Sequence, residues 1–276
     1  MAAAQARRFW QCSYLAVTAA LSVAAASPAR ADSTQTDPWN GFYVGAFAGG
    51  AWGSGDTTTD VGEVNATSFF TSDENIASIE QNASGKARSG SFTGGVQLGA
   101  NQRFNQFLIG AEVDFGAFDL NGGRGAVDVP YPTFPGPAYT VKASYSTDWL
   151  LTARGRLGWL ATPDMLLYFT SGLALSDVKA SNEFFDRLVA LGPQRATQGA
   201  SSRTRTKAGY TLGGGIEANL GGPWSIKAEY LYVDLGKVTT KGIVVPQAGP
   251  ERSPLNTSVD VTANIARVGI NYSFSD

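Results

Sequence analysis

Between Trp149 and Trp159 the chain alternates strictly. Trp149, Leu151, Ala153, Leu157 and Trp159 share one parity, and Asp148, Thr152, Arg154, Arg156 and Gly158 share the other. A period of two predicts a strand with one apolar and one polar face. The two tryptophans bracket the apolar face ten residues apart. At roughly 3.3 Å per residue and a tilt near 40°, that span projects to about 25 Å, the height of the lipid band of a transmembrane barrel. Pro163 then turns the chain straight back.

Seven more segments repeat the pattern, roughly 41–53, 92–102, 107–119, 164–176, 208–220, 224–236 and 262–274. Their apolar faces include Phe42, Val44, Ala46, Ala48 and Trp52 in the first, and Trp224, Ile226, Ala228, Tyr230 and Tyr232 in the seventh. The last sets Val268, Ile270, Tyr272 and Phe274 against Arg267, Gly269, Asn271 and Ser273. Upstream of Ala266 its parity degrades, which predicts a bulge or an early loop there.

The links between segments set the topology. Short ones lie near 103–106, 161–163 and 221–223; long ones occupy 54–91, 120–147, 177–207 and 237–261. Long and short alternate throughout, the asymmetry of an outer-membrane barrel with terse periplasmic turns and long extracellular loops. The pattern therefore predicts an all-β chain, an eight-stranded antiparallel up-and-down transmembrane β-barrel with both termini periplasmic. The long links are rich in Ser, Thr, Asn, Gly and Pro, including Pro130, Pro132, Pro135 and Pro137. They read as too poor in apolar residues to pack a core of their own.

A soluble antiparallel sandwich alternates as well. Two features favour the membrane. Trp39, Phe42, Trp52, Trp149, Trp159, Trp224 and Phe274 cluster at the ends of the apolar faces, as interfacial aromatic girdles do. Gly45, Gly49, Gly95, Gly99, Gly213 and Gly215 fall on the polar faces, where a narrow interior needs small residues.

The amino terminus changes the picture of the compartment. Arg7 and Arg8 precede an apolar run from Tyr14 to Ala26, and Ala29-Arg30-Ala31 offers small residues at both positions that signal peptidase reads. Residues 1–31 are expected to be a signal peptide and 32–276 the barrel domain. The run is too short for a spanning helix. Cleavage removes Cys12, the single cysteine, so the mature chain forms no disulfide. It also removes Arg7, Arg8 and Arg30, which leaves 18 basic against 23 acidic residues, net −5. That balance argues against nucleic acid as a partner.

Four of these stretches carry a family likeness: Trp39-Asn40-Gly41-Phe42-Tyr43-Val44-Gly45, the strand from Trp149 through Arg154-Gly155-Arg156-Leu157-Gly158 to Trp159, Trp224-Ser225-Ile226-Lys227-Ala228-Glu229-Tyr230-Leu231-Tyr232, and Arg267 to Phe274. Together they resemble the alphaproteobacterial outer-membrane β-barrel proteins often labelled porin family, a group related to opacity proteins and the small heat-modifiable barrels. The resemblance spans the mature chain. It implies residence in the outer membrane of a Gram-negative bacterium, contact with outer-membrane lipid and lipopolysaccharide, and insertion by the barrel-assembly machinery. Family members usually end on the aromatic which that machinery reads, whereas here Ser275 and Asp276 follow Phe274.

Candidate chemistry is confined to charges. Glu112, Asp114, Arg154, Arg156, Glu217, Lys227, Glu229 and Arg267 all fall on interior parity. Four acids balance four bases, as a low-dielectric interior requires. Strand order sets Glu112 and Asp114 against Arg154 and Arg156, and Glu217 and Glu229 against Lys227 and Arg267. Such a set is either a structural plug of ion pairs or the lining of an ion-selective conduit, and eight strands leave room only for side chains. If the ion pairs are the obstruction, loss of Glu112 should both destabilise the barrel and let ions leak.

The chain contains no histidine. The usual imidazole base is missing, no catalytic role is expected, and no cofactor or metal is expected either. A second group, Lys179, Arg187, Arg195, Arg203, Arg205 and Lys207, lies in the third long link. It reads either as a solvated loop or as a basic rim that grips lipopolysaccharide phosphates, with Arg203, Arg205 and Lys207 on inward parity. The expected role is envelope integrity and surface presentation. A narrow pore for ions or small solutes, and an adhesin or ligand-binding protein acting through the long loops, stay open as alternatives.

Overall fold

The alternating segments form strands that extend well beyond the stretches that announce them. A computed structural model describes residues 37–62, 68, 70, 72–187, 197–246 and 250–274. The expected leader, Arg195 and the two residues after Phe274 lie outside these. In chain order the elements are β1 (Gly41–Asp60), α1 (Asp73–Ala83), β2 (Gly85–Phe104), β3 (Phe107–Phe118), β4 (Asn121–Tyr131), β5 (Phe134–Thr147), β6 (Trp149–Thr162), β7 (Met165–Arg187), β8 (Thr197–Asn219), β9 (Trp224–Pro246) and β10 (Ser253–Phe274).

Eight strands close a ring in the order β1-β2-β3-β6-β7-β8-β9-β10, and β10 pairs back onto β1. Every pairing is antiparallel. Closure leaves no free edge within the lipid band, which a spanning sheet requires. The remaining two strands, β4 and β5, form a hairpin that continues the β3–β6 ladder upward. Thr147 donates its backbone N–H to the Leu120 carbonyl, and Asn121 then pairs with Ser146. Above β6, β5 takes over as the partner of β7, from Thr147↔Val178 to Ala138↔Arg187. The turns at the other end are short, as expected: Asn105–Gln106, Pro163–Asp164 and 220–223.

In the spanning half, apolar residues point outward. Val96, Val113, Leu157, Ile216, Ile226 and Ile270 are exposed between two aromatic levels. Phe42, Phe107, Trp159, Trp224 and Phe274 mark the lower level. Trp52, Phe92, Tyr210 and Tyr230 mark the upper, with Trp149 against Phe115 beside them. Trp39 departs from its expected place in the girdle. It is only 3% exposed, its Nε1–H donates to the Pro163 carbonyl (2.8 Å), and it packs with Leu108, Leu160, Leu166 and Tyr168 inside the lower mouth. Parity misleads there because Trp39 precedes β1 and sits on a turn.

Above the upper aromatics the polarity of the two faces inverts. On β10, Val259, Val261, Ala263 and Ile265 point inward while Asp260, Thr262 and Asn264 point outward; Arg267 then begins the polar interior below. This inversion is what blurs the parity upstream of Ala266. The strand itself runs unbroken along β1, and the expected bulge falls on its neighbour β9. There Leu235 is skipped between Thr262↔Asp234 and Val261↔Gly236. Gly236 adopts φ +65°, a left-handed conformation open to glycine, and the inward parity of β9 shifts from odd to even.

The long links therefore do pack cores, contrary to their expected loop character. Their composition is polar because half of each strand faces water; the other half faces inward. One apolar layer joins Phe118, Leu120, Tyr145, Val178, Leu231, Val233, Leu235, Val259, Val261 and Ile265. A second, higher cluster joins Val61, Phe70, Ile79, Tyr131, Tyr139, Val141, Phe184, Val244 and Leu255. Helix α1 sits on it: Val61 N–H donates to Glu80 (3.0 Å), and Tyr139 Oη contacts Ser78 Oγ (2.7 Å) and Asn82 Nδ2 (3.0 Å). Tyr131 donates to Asp186 (2.9 Å), and burial, reinforced by that carboxylate, pushes its phenol well above its ordinary pKa.

The lipid band generates a test. Val113 and Ala153 pair in register on the outer face. Arginine at either position should cost about 2–4 kcal/mol of barrel stability, read as a lowered urea midpoint in lipid vesicles. Harmless substitutions at both would mean that this face meets water.

Candidate functional site

The spanning half of the interior is filled by one polar cluster. Inward positions of every ring strand converge there, and all eight expected charges are in it, each buried. Local parity accounts for their direction, and the ladder accounts for their level. Glu112 stands opposite Arg154 across β3–β6, Glu217 opposite Lys227 across β8–β9, and Glu229 opposite Arg267 across β9–β10.

The actual partners depart in part from that ladder. Arg154 binds Glu112 and Asp114 as expected, the latter at 2.7 Å, and also crosses the lumen to Glu229 (3.0 Å). Arg267 binds Glu229 through Nε (2.7 Å) and Asp114 through Nη2 (3.0 Å). Two assignments change. Arg156 pairs with Glu217 rather than with Glu112 or Asp114, and Lys227 reaches across to both oxygens of Glu112 (2.9 and 2.7 Å). Long side chains span an interior this narrow, so the nearest charge is often on a strand two to four places round the ring.

Neutral groups complete the shell. Ser225 and Asn271 donate to Glu217 (2.5 and 2.7 Å), and Thr152 donates to Asp114 (2.8 Å). Gln97 donates to Asn271. Two tyrosines that charge patterning does not single out belong here as well. Tyr43 donates to Glu112 (2.6 Å), and Tyr168 donates to Glu229 (3.0 Å) while its ring lies 3.8 Å from the Arg156 guanidinium carbon. Each stands across the ladder from a glycine, Tyr43 from Gly99 and Tyr168 from Gly215. A Cβ on either glycine would run into the ring. That pairing of aromatic with glycine was the available signal.

The cluster is closed at both ends. Below it lie Trp39, Leu108, Leu160 and Leu166; above it lies the layer of Leu231, Val233, Val261 and Ile265. Every acid has a cation within hydrogen-bonding distance, so none is poised to take a proton from a substrate. No group of His, Cys, Asp or Glu suited to a metal occurs among the described residues. Chemically the arrangement is a cross-braced network in which four cations balance four acids. The other basic group does not converge with it: Arg203 and Arg205 keep inward parity, in register with buried Ala180 and Val178, yet are exposed, and Lys207 donates to the Lys237 carbonyl (2.7 Å).

Comparison with known proteins agrees with this architecture. The family described as outer membrane protein beta-barrel domain matches residues 15–274. The chain is 32% identical over 260 residues to the 31 kDa outer-membrane immunogenic protein of Brucella melitensis, covering 94% of this chain and 93% of that one. It is 28% identical over 196 residues to a 22 kDa outer membrane protein of Rhizobium leguminosarum, covering 71% and 64%. Among solved structures, OprG from Pseudomonas aeruginosa aligns with 12% identity and a TM-score of 0.41, over 85% of this chain and 97% of that one.

The cross-bracing sets an expectation for Glu112→Ala. It leaves Lys227 buried without its carboxylate, which costs about 3–5 kcal/mol in a dry site. In a hydrated conduit the same change would cost under about 1 kcal/mol. Unfolding midpoints in detergent distinguish the two. The variant should remain electrically closed, contrary to the leak expected of a plug made of ion pairs alone, because the apolar layers above and below do not depend on Glu112.

Proposed function

The chain belongs to the outer-membrane β-barrel protein family, and we propose that it serves there as a sealed barrel that braces the envelope and presents a rigid surface, not as a pore. The observation that carries this reading is the stack of three filled layers: apolar at the lower mouth, ionic in the lipid band, apolar above. A conduit needs a continuous wet path, and apolar constrictions that exclude water block ions even where they leave some space. The pore reading would need such a path through all three layers.

A structural role also suits the extracellular half. Its strands are continuous with the barrel wall, so the surface they display is held by ladders and by a second core. A non-enzymatic role follows from chemistry: the sequence contains no imidazole, and all four interior acids are neutralised by arginine or lysine. In the orientation we propose, the extended strand ends and α1 face outward, the three short turns and both termini face the periplasm, and residues 1–31 are removed on export.

Two measurements check the proposal. Refolded protein in planar bilayers should show no steady unitary conductance; reproducible channels would replace the sealed reading with the pore. Orientation is read by single cysteines, since Cys12 leaves with the leader. A membrane-impermeant maleimide on intact cells should label Thr58→Cys and Ser202→Cys and spare Gln106→Cys. The opposite pattern would invert the assignment.

A further inference from the structure

Beyond the upper aromatics the barrel wall flattens into two sheets that pack face to face. One contains β4, β5 and the upper parts of β7 and β8; the other contains the upper parts of β2, β1, β10 and β9. Side chains of each reach the backbone of the other. Asn182 Nδ2 donates to the Leu255 carbonyl (3.0 Å), and Thr240 Oγ1 donates to the Ala180 carbonyl (3.4 Å). Strand β9 is thereby drawn beneath β7, and its ladder with β8 is interrupted between Gln198 and Tyr210. Gly242 permits the approach, since a Cβ there would stand 3.2 Å from Asn182 Oδ1 and 3.3 Å from Ser201 Cβ.

The interruption leaves a long unpaired edge. On one side β8 is held by β7 without a break, from Phe185↔Gln198 to Met165↔Ala218. On its other side, 199–209 has no strand partner, and the ladder resumes only at the tip with Gln198↔Val245 and Thr197↔Pro246. What crosses the seam is side chain to backbone: Lys207 Nζ donates to the Lys237 carbonyl (2.7 Å) and Ser201 Oγ to the Lys241 carbonyl (3.1 Å). Sliding β9 outward to close the seam would withdraw Val238, Thr240 and Val244, each at most 1% exposed, from between the sheets. An unpaired strand edge of this kind is a template for pairing with another chain.

The charge along that edge indicates the partner. Arg203 and Arg205 stand in register with buried Ala180 and Val178, yet β8 overhangs β9 and both guanidinium groups are exposed. Among the described residues neither has an ionic partner. The opposite face of the same stretch carries the hydroxyls of Ser202, Thr204 and Thr206. A strand added to this edge would set alternate side chains beside the two arginines while its backbone supplied the missing ladder. Acids at those positions pair favourably across strands, and guanidinium forks give carboxylates two parallel N–H donors. Basic strands are repelled by the same cations, so the edge discriminates among strands. We infer that β8 over 199–209 is a strand-addition site for an extended acidic peptide, a segment of another protein with carboxylates at alternate positions.

The site meets the cell exterior in the orientation proposed above. Binding in detergent is measured whichever way the barrel faces, and maleimide labelling reads orientation, so the two fail separately. The experiment uses the folded mature barrel in neutral detergent and a fluorescent peptide of about nine residues in which glutamate alternates with valine, which at roughly 3.3 Å per residue covers most of the edge. Anisotropy should show saturable binding. Amide hydrogen exchange over 199–209 should slow at least about tenfold with peptide bound, and exchange over 138–147 of β5 should not change. The variant R203E/R205E should bind the glutamate peptide at least about tenfold more weakly and take a lysine–valine counterpart instead, while K86E/R88E on β2 should bind like the wild type. Heat-modified gel mobility verifies that both fold. The glutamate peptide N-methylated at every backbone amide keeps its charge and should not bind. No saturable binding, equal binding of the methylated peptide, unchanged exchange over 199–209, or equal loss in the two variants would each overturn the inference.

Discussion

The interior of an eight-stranded ring is too narrow to hold bulk water and too polar to be left empty, so it must be filled by side chains whose charges cancel. Much of the structure follows from that requirement. Four cations and four acids are drawn from five strands into one network in which every carboxylate is bound by a cation. Their bulk must be relieved nearby, and glycines in register supply the relief where Tyr43 and Tyr168 lean across the wall. Trp39 is drawn in to stopper the lower mouth, tied through Pro163 to the β6–β7 turn. Asp37 beside it is clamped by Arg103 from the β2 end, so the entry to the first strand is fixed by the same closure.

The membrane boundary imposes a second rule, and the two together generate the layered core. Within the lipid band the outer face must be apolar and the inner face takes the polar residues. Beyond it water lies outside, and the same alternation continues with its faces exchanged. On β10 the exchange occurs between Arg267 and Ile265, two neighbouring inward positions of a single unbroken strand. The result is one continuous wall that is a membrane protein in its lower half and an ordinary soluble β-structure in its upper half.

That exchange also explains what was legible in the amino-acid sequence. Parity gave the direction of all eight interior charges and of the girdle except Trp39, and link lengths gave the strand count of the ring. Positions 253–265 alternate just as regularly, yet with their apolar residues on the opposite parity from those of 268–274. A reading tuned to apolar-outward strands takes them for loops. Cross-lumen partners were hidden for a different reason. Register predicts neighbours on adjacent strands, whereas Arg156–Glu217 and Lys227–Glu112 depend on the diameter of the ring and on side-chain reach. The exposure of Arg203 and Arg205 on β8 was the least accessible, because it depends on the absence of ladder pairs with β9 between Gln198 and Tyr210.

The single extra residue at Leu235 of β9 has a consequence for how such a chain changes over time. It acts as a phase slip that uncouples the upper half of the strand from the lower. Below it, odd positions are committed to the ionic interior; above it, even positions supply Val238, Thr240 and Val244 to the soluble core. Loss of Leu235 itself would only straighten the strand, because Gly236 would follow Asp234 in register with Val261 and the inward positions would stay inward. Loss of one residue from the regular ladder above it, at Val238, would instead turn the segment beyond it inside out and deliver Lys241 and Ile243 to the core. Length changes placed beyond Pro246 carry no such penalty. The bulge and the strand tip are thus the two places where β9 absorbs a change of length, which leaves the outward display free to diversify while the half that must live in lipid keeps its register.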